Sequence, residues 1–262
     1  MLDRFANMSL ALAVFIILPL ILMNATGAVE AIEVELHCIA DTMFSGHEAE
    51  HNTNCGMQTW LRLKGFQGIV VFKFDMSELE GSFVESAALK VFCSVISGSV
   101  TSPLSITDLQ ISTIAHDWIE GDGNAYTPTE DASTYDYPGG DLGMEWADDD
   151  QDGLGRNGVL INVEDVINGT GDSILNSQIG KTIFEVNEWT ETILDAELVQ
   201  SLVDGEQYGI VLWQPDWAKN LDIASRELND GENAAILGVT ATGLVVQAHD
   251  KIATTWAELK TY

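Results

Sequence analysis

The run IVVFKFDM, residues 69–76, sets the terms for this chain. Phe72 and Phe74 fall on one side of an extended backbone, Lys73 and Asp75 on the other. That two-residue period belongs to a strand with one face in a core. Similar β-rich runs recur along the sequence: AIEVELHCI, SAALKVFCSVIS, LSITDLQIST, KTIFEV, YGIVLW and AAILGVTA. Gly, Asn and Asp turns separate them, with little helical periodicity between. The expected fold is an all-β, jelly-roll-type β-sandwich with one or two short helices. One helix is expected in DAELVQSLVDG, where Leu198, Val199 and Leu202 share a face, Asp195 is the N-cap and Gly205 the stop. A second is expected in DKIATTWAELK, where Ile252, Trp256 and Leu259 line up.

The ends read differently from the middle. LALAVFIILPLILM, residues 10–23, is an uncharged apolar run after Arg4, followed by small residues. It reads as a secretory signal peptide over residues 1–28, cleaved near Ala28 or Ala31, with a retained N-terminal membrane anchor as the alternative. The expected domain then spans 32–246, with a C-terminal tail at 247–262. Export places the protein outside the cell or on its surface. It also permits a disulfide, but Cys38, Cys55 and Cys93 are three, and no CxxC pair is present. Buried structural thiols are the simpler expectation, and any pairing stays open.

The formal net charge is −30. Such a field repels nucleic acid and anionic membranes. It disfavours a direct grip on polyanionic sugars unless a metal ion bridges the two. The acids concentrate at about 115–158, and no Lys or Arg occurs between Lys90 and Arg156. A long irregular stretch inside a compact domain is usually functional or disordered, and its tryptophans and tyrosines argue against disorder.

Seven pieces in order resemble one family. They are ADT (Ala40–Thr42), NCG with WLRLKG (Asn54–Gly65), VVFKFDMSELEGSFVESAALKVF, HDWIEGDG, YGIVLW and SRE (Ser225–Glu227). Together they resemble the DNRLRE-domain family of secreted β-sandwich modules related to carbohydrate-binding modules. Lys73 stands where that family usually has Arg, and the acidic loop is long. The resemblance implies a sandwich fold and a non-catalytic binding role. Some members resemble carbohydrate-binding modules that bind uronic-acid polysaccharides such as alginate, but a shared fold does not transfer a ligand.

Three sets of residues carry candidate chemistry. In WADDDQDG, Asp148, Asp150 and Asp152 alternate before Gly153, and Leu154 offers a backbone carbonyl. Hard oxygens at that spacing suit calcium. Val159 sits where an EF-hand needs Glu, so the expectation is a shorter calcium turn, completed by an acid such as Glu145 or Asp165, or else a solvated acidic turn. Trp118, Trp146, Trp213 and Trp217 lie beside Asp- and Asn-rich loops. They are candidates to stack on sugar rings, or else core anchors of long loops. Asp117 and Glu120 are close enough to suggest an acid/base pair, but spacing alone cannot show two carboxyls across one bond. His47 and His51, at i and i+4, would suit a metal only on a helix, and their segment reads as a loop. Arg226 and Glu227 suit an internal ion pair serving the fold.

The expected function is therefore a secreted, calcium-stabilised, non-catalytic module for a uronic or neutral polysaccharide. The alternative is a structural or adhesive extracellular protein whose sandwich binds a protein partner or a second copy of itself.

Overall fold

The computed structural model describes residues 31–97, 102–124, 126–143, 146, 162–169, 172–177, 182–214 and 219–243. The described residues form an all-β, sandwich-like fold of antiparallel strands with one short α-helix.

Strand β1 (Ile32–Phe44) joins the two layers. Its first half pairs with β13 (Ile236–Thr242), and its second half pairs with β4 (Ile69–Phe74). The register shifts between Cys38 and Ala40, so one strand bends from one sheet into the other. The first sheet runs from β3 (Trp60–Leu63) through β12 (Asn220–Ala224), β5 (Phe83–Ser97) and β13 to β1. β10 (Glu188–Leu194) pairs with the other side of β5. The second sheet runs from β1 through β4 and β11 (Ile210–Trp213) to β7 (Gln110–Thr113). Two short ladders stand apart: β2 (Thr53–Asn54) with β8 (Thr127–Pro128), and β6 (Leu104–Ile106) with β9 (Thr182–Phe184). The expected single strand LSITDLQIST is thus two, in different ladders, divided by the bend at Thr107 and Asp108.

Inward-facing residues of both sheets make the main core. Leu36, Phe72, Phe74, Leu89, Ile210, Leu212, Ile223 and Leu237 belong to it. Helix α1 (Ala196–Val203) closes one side with Leu198, Val199 and Leu202, the face its spacing predicts. Asp195 is at the N-cap, but its side chain makes no capping bond. Its carboxylate accepts from Ser177 Oγ at 3.0 Å instead, tying the helix start to the preceding loop.

A second apolar cluster lies behind the second sheet. Ile69, Val71 and Val211 meet Ile114, Trp118, Tyr135, Trp146, Val163 and Val166 there. The acidic middle stretch supplies the cover, and backbone bonds pin it down. Ile114 N donates to Gly209 O at 3.2 Å, Ala115 N to Val166 O at 2.9 Å, and Val163 N to Tyr135 O at 2.9 Å. β4 is consequently buried on both faces over most of its length.

Cys38, Cys55 and Cys93 are all buried and free. Burial pushes the Cys55 and Cys93 thiols up to about 11, which keeps them unreactive. No helix among the described residues is long and apolar enough to cross a membrane. The expected signal peptide and the tail at 247–262 lie outside the described residues.

Candidate functional site

The segment Asp117–Glu120 is held against the rim of the sandwich by a buried asparagine. Asn54 Nδ2 donates to Glu120 O at 2.8 Å and to Ser133 O at 3.0 Å. Its Oδ1 accepts from Gly56 N at 3.1 Å and Gly123 N at 2.9 Å. The whole amide is thereby satisfied inside the protein. Close approach demands glycine here: a Cβ on Gly56 would stand 2.1 Å from Glu120 O. Gly121 adds a positive φ of 74° that suits no branched residue.

From this segment two carboxylates leave in different directions. Asp117 Oδ1 accepts from Lys73 Nζ at 2.8 Å. Lys73 also lies 5.1 Å from the centroid of the Trp118 ring, a cation–π distance. Glu120 instead accepts two donors of Arg226 in a bidentate pair: Nε to Oε1 at 2.8 Å and Nη2 to Oε2 at 2.6 Å. The two acids therefore serve separate ion pairs rather than facing one bond.

On the Asp117 side lies a cleft of about 310 Å³. Ile39, Lys73, Asp75, Asp117, Gln207 and Tyr208 line it. Tyr208 is 39% exposed and Ile39 52%. The cleft thus joins ring and aliphatic surface to an ammonium, two carboxylates and an amide, a mixture suited to a polyhydroxy ligand.

On the Glu120 side lies a partly buried ionic centre. Asp41 of β1 is fully buried. Its backbone N–H donates to Glu120 Oε1 at 2.7 Å, and its Oδ2 accepts from Arg226 N at 2.9 Å. Cys38 Sγ donates toward the same Oδ2 at 3.7 Å. Glu227 Oε1 lies 3.2 Å from Arg226 Nε. Arg226 and Glu227 thus form the expected internal ion pair, with Glu120 as the closer partner of Arg226. Burial, reinforced by the charges of Glu227 and Glu120, pushes the Asp41 carboxyl up to about 8 against the lowering bond from Arg226 N. Burial also raises Glu227, while Arg226 opposes it. The hydrogen bond to Glu120 holds Arg226 firmly in its charged form. Two buried oxygens, Asp41 Oδ1 and Glu227 Oε2, have no hydrogen-bond partner among the described residues. Leaving such atoms unsatisfied costs about 1–3 kcal/mol each.

The tryptophans expected to stack on sugars are mostly interior. Trp118 is 3% exposed, Trp146 fully buried and Trp213 6% exposed. Trp118 Nε1 donates to Tyr208 O at 3.1 Å, and Trp146 Nε1 to Tyr135 O at 3.1 Å. The stacking expectation is corrected for these three rings: Trp118 and Trp146 anchor loops with their polar edges bonded to backbone, and Trp213, at the end of β11, packs in the second cluster. Trp217 lies outside the described residues, as do Asp148, Asp150, Asp152 and Leu154 of the expected calcium turn. His51 sits on a loop, 3.2 Å from Asp136 and stacked on Tyr135.

Sequence reasoning missed Asp41 and Tyr208. Asp41 meets Glu120 across 79 positions and Arg226 across 185, separations that no motif reports. Tyr208 opens the run YGIVLW, and that run alone gives no reason to expect its exposure. No protein-family model matches the chain, and no curated protein matches it.

Proposed function

We propose that this chain is a secreted or cell-surface, non-catalytic module of DNRLRE type that binds polysaccharide in the rim cleft. The observation that carries the reading is the half-exposed Tyr208 ring beside Lys73, Asp75, Asp117 and Gln207 in one open cleft. A pyranose ring stacks on the tyrosine while its hydroxyls meet the charged and amide groups, as apolar pockets with a few fixed polar groups bind ligands generally. Lys73 supports either sugar class: it donates to a hydroxyl or pairs a uronate. The charge of −30 favours a neutral chain, or a uronic one accompanied by cations. Calcium is the cofactor proposed with this reading, as a structural ion.

Retention on insoluble and gel-embedded polysaccharides, neutral and uronic, tests it. Tyr208→Ala is expected to abolish retention while leaving the melting temperature close to that of the parent. The backbone carbonyl of Tyr208 still accepts from Trp118 in that variant, so the fold is spared. Retention unchanged in Tyr208→Ala removes the cleft from the reading.

One observation favours the alternative of an adhesive or assembling protein. On the outer face of the first sheet, Trp189 packs edge-on against Phe92 with ring centroids 5.5 Å apart, beside exposed Ile193. Exposed apolar side chains on a sheet face suit a protein partner or a second copy. Failure to bind any polysaccharide, with self-association that Trp189→Ala abolishes in size-exclusion chromatography, would replace the first reading by this one.

A further inference from the structure

We propose that Asp41, Glu120 and Glu227 form a binding site for a divalent cation of the calcium class, separate from the acidic loop. One oxygen from each of the three carboxylates lies within 4.8 Å of the other two. Oxygens bound to one calcium ion at about 2.3–2.6 Å can stand up to roughly 5 Å apart, so a single ion can reach all three. Clustered acids alone would not make the case, since they are common in a chain with 41 of them. The independent observation is that Asp41 is fully buried, yet its Oδ1 has no hydrogen-bond partner among the described residues. Glu227 Oε2 is in the same position.

The donors at hand are already engaged. Arg226 gives its side-chain N–H groups to Glu120 and lies against Glu227 Oε1, and its backbone N–H goes to Asp41 Oδ2. With all three ionised, as a cation would hold them, three carboxylates against one guanidinium leave a formal deficit of two positive charges. A divalent ion removes that deficit and supplies a partner to the buried oxygens together. The guanidinium then acts as a strut for Glu120 rather than as a competitor for the ion.

The donor set selects the class. All three side-chain ligands are hard oxygens, which favour calcium or magnesium over zinc or copper. Magnesium demands a compact octahedron and keeps several waters, whereas calcium accepts irregular geometry and backbone carbonyls. A partly buried, irregular cluster of carboxylates suits the latter. Glu120 at 17% and Arg226 at 37% side-chain exposure leave a route from solvent.

The ion would be structural. It would tie together β1, the covering segment after β7 and the turn after β12, three pieces distant in sequence. This inference goes beyond polysaccharide binding and holds whether or not any sugar binds.

The test uses the full chain, stripped with chelator and then titrated with calcium chloride alone. Equilibrium dialysis counts bound ions, and thermal melts follow stability. The parent is expected to bind at least one calcium ion and to gain melting temperature on binding it. Glu227→Gln and Asp41→Asn are each expected to lose one bound ion relative to the parent, with circular dichroism still reporting a β fold. The triple change Asp148→Asn, Asp150→Asn, Asp152→Asn is expected to keep that ion. The proposal falls if the stripped parent binds no calcium at millimolar concentration. It also falls if both single variants bind as many ions as the parent, or if the triple change removes all binding. Equal affinity for magnesium in the same titration would overturn the calcium assignment.

Discussion

The two outer faces of the sandwich are finished in opposite ways. Behind the second sheet, Ile69, Val71 and Val211 lie under a cover of Trp118, Tyr135 and Trp146. In front of the first sheet, Trp189, Ile193 and Lys90 meet solvent among the described residues. The difference inverts the ordinary expectation for aromatics. Trp118 and Trp146, beside irregular, acidic segments, are interior here, while Phe83 and Trp189, on regular strands, are exposed. A long loop can cover a sheet only if it brings its own apolar anchors, because its backbone polar groups must be satisfied as well. Trp146 does both tasks, filling space against Phe44 and donating to Thr134 O at 3.2 Å.

The contrast breaks most easily at its largest consequence. Trp146→Ala empties the covered side and is expected to cost about 3–5 kcal/mol. Trp189→Ala removes one half-exposed ring and its edge contact with Phe92, a loss of about 1 kcal/mol. Urea denaturation of the two variants measures both. Equal losses would mean that the face carrying Trp189 is as well covered as the other.

The strands were legible because alternation is local. SAALKVFCSVIS falls within β5, the runs IVVFKFDM, YGIVLW and AAILGVTA hold all or most of β4, β11 and β13, and α1 begins after Asp195 as its periodicity indicates. What was not legible is which face a loop covers. β4 shows Lys73 and Asp75 on one side, yet Val71, on that same side, is buried by residues forty and more positions away. The site was legible only in fragments. SRE and HDWIEGDG each stood out, but that Arg226 reaches back to Glu120 is a property of the closed sandwich. Asp41 drew notice only within ADT, since a lone acid in a strand carries no signal until its burial is known.

The charged groups extend the comparison. Asp41 sits at the seam between the two faces with a carboxyl raised from 3.8 to about 8, by burial first and then by Glu227 and Glu120. Its folded form therefore holds a proton more tightly than the unfolded chain does. The stability this contributes is complete below about pH 4 and is lost as pH rises through about 8. Glu227, Glu164 and Asp222, also raised by burial, contribute with the same sign. In chelator, the parent is expected to lose stability steadily between those limits. Asp41→Asn, which mimics the protonated acid, is expected to show a shallower slope. Chemical denaturation at a series of pH values measures this, and identical slopes would remove Asp41 as the main source.

The smallest expected effect lies on the open face. Lys90 Nζ donates to Glu35 Oε1 at 2.9 Å and lies 4.0 Å from Glu191 Oε2, joining β1, β5 and β10 across the sheet surface. The hydrogen bond lowers the Glu35 carboxyl and raises the Lys90 ammonium, with the mutual charge adding to both. Both groups are in water, so screening governs what the pair is worth. Lys90→Met is expected to leave the denaturation midpoint unchanged at 0.5 M salt, a concentration at which the Debye length is only about 4 Å. At low salt the same variant should lose midpoint, because Glu35 and Glu191 then repel across β13 and β5 with no cation between them. The chain has 11 basic residues against 41 acidic ones, so each lost cation on this face leaves carboxylates facing carboxylates. A loss of midpoint that persists at high salt would mean that salt does not reach the pair. The face carrying Lys90 would then be covered in solution, and the asymmetry between the two sheets would disappear.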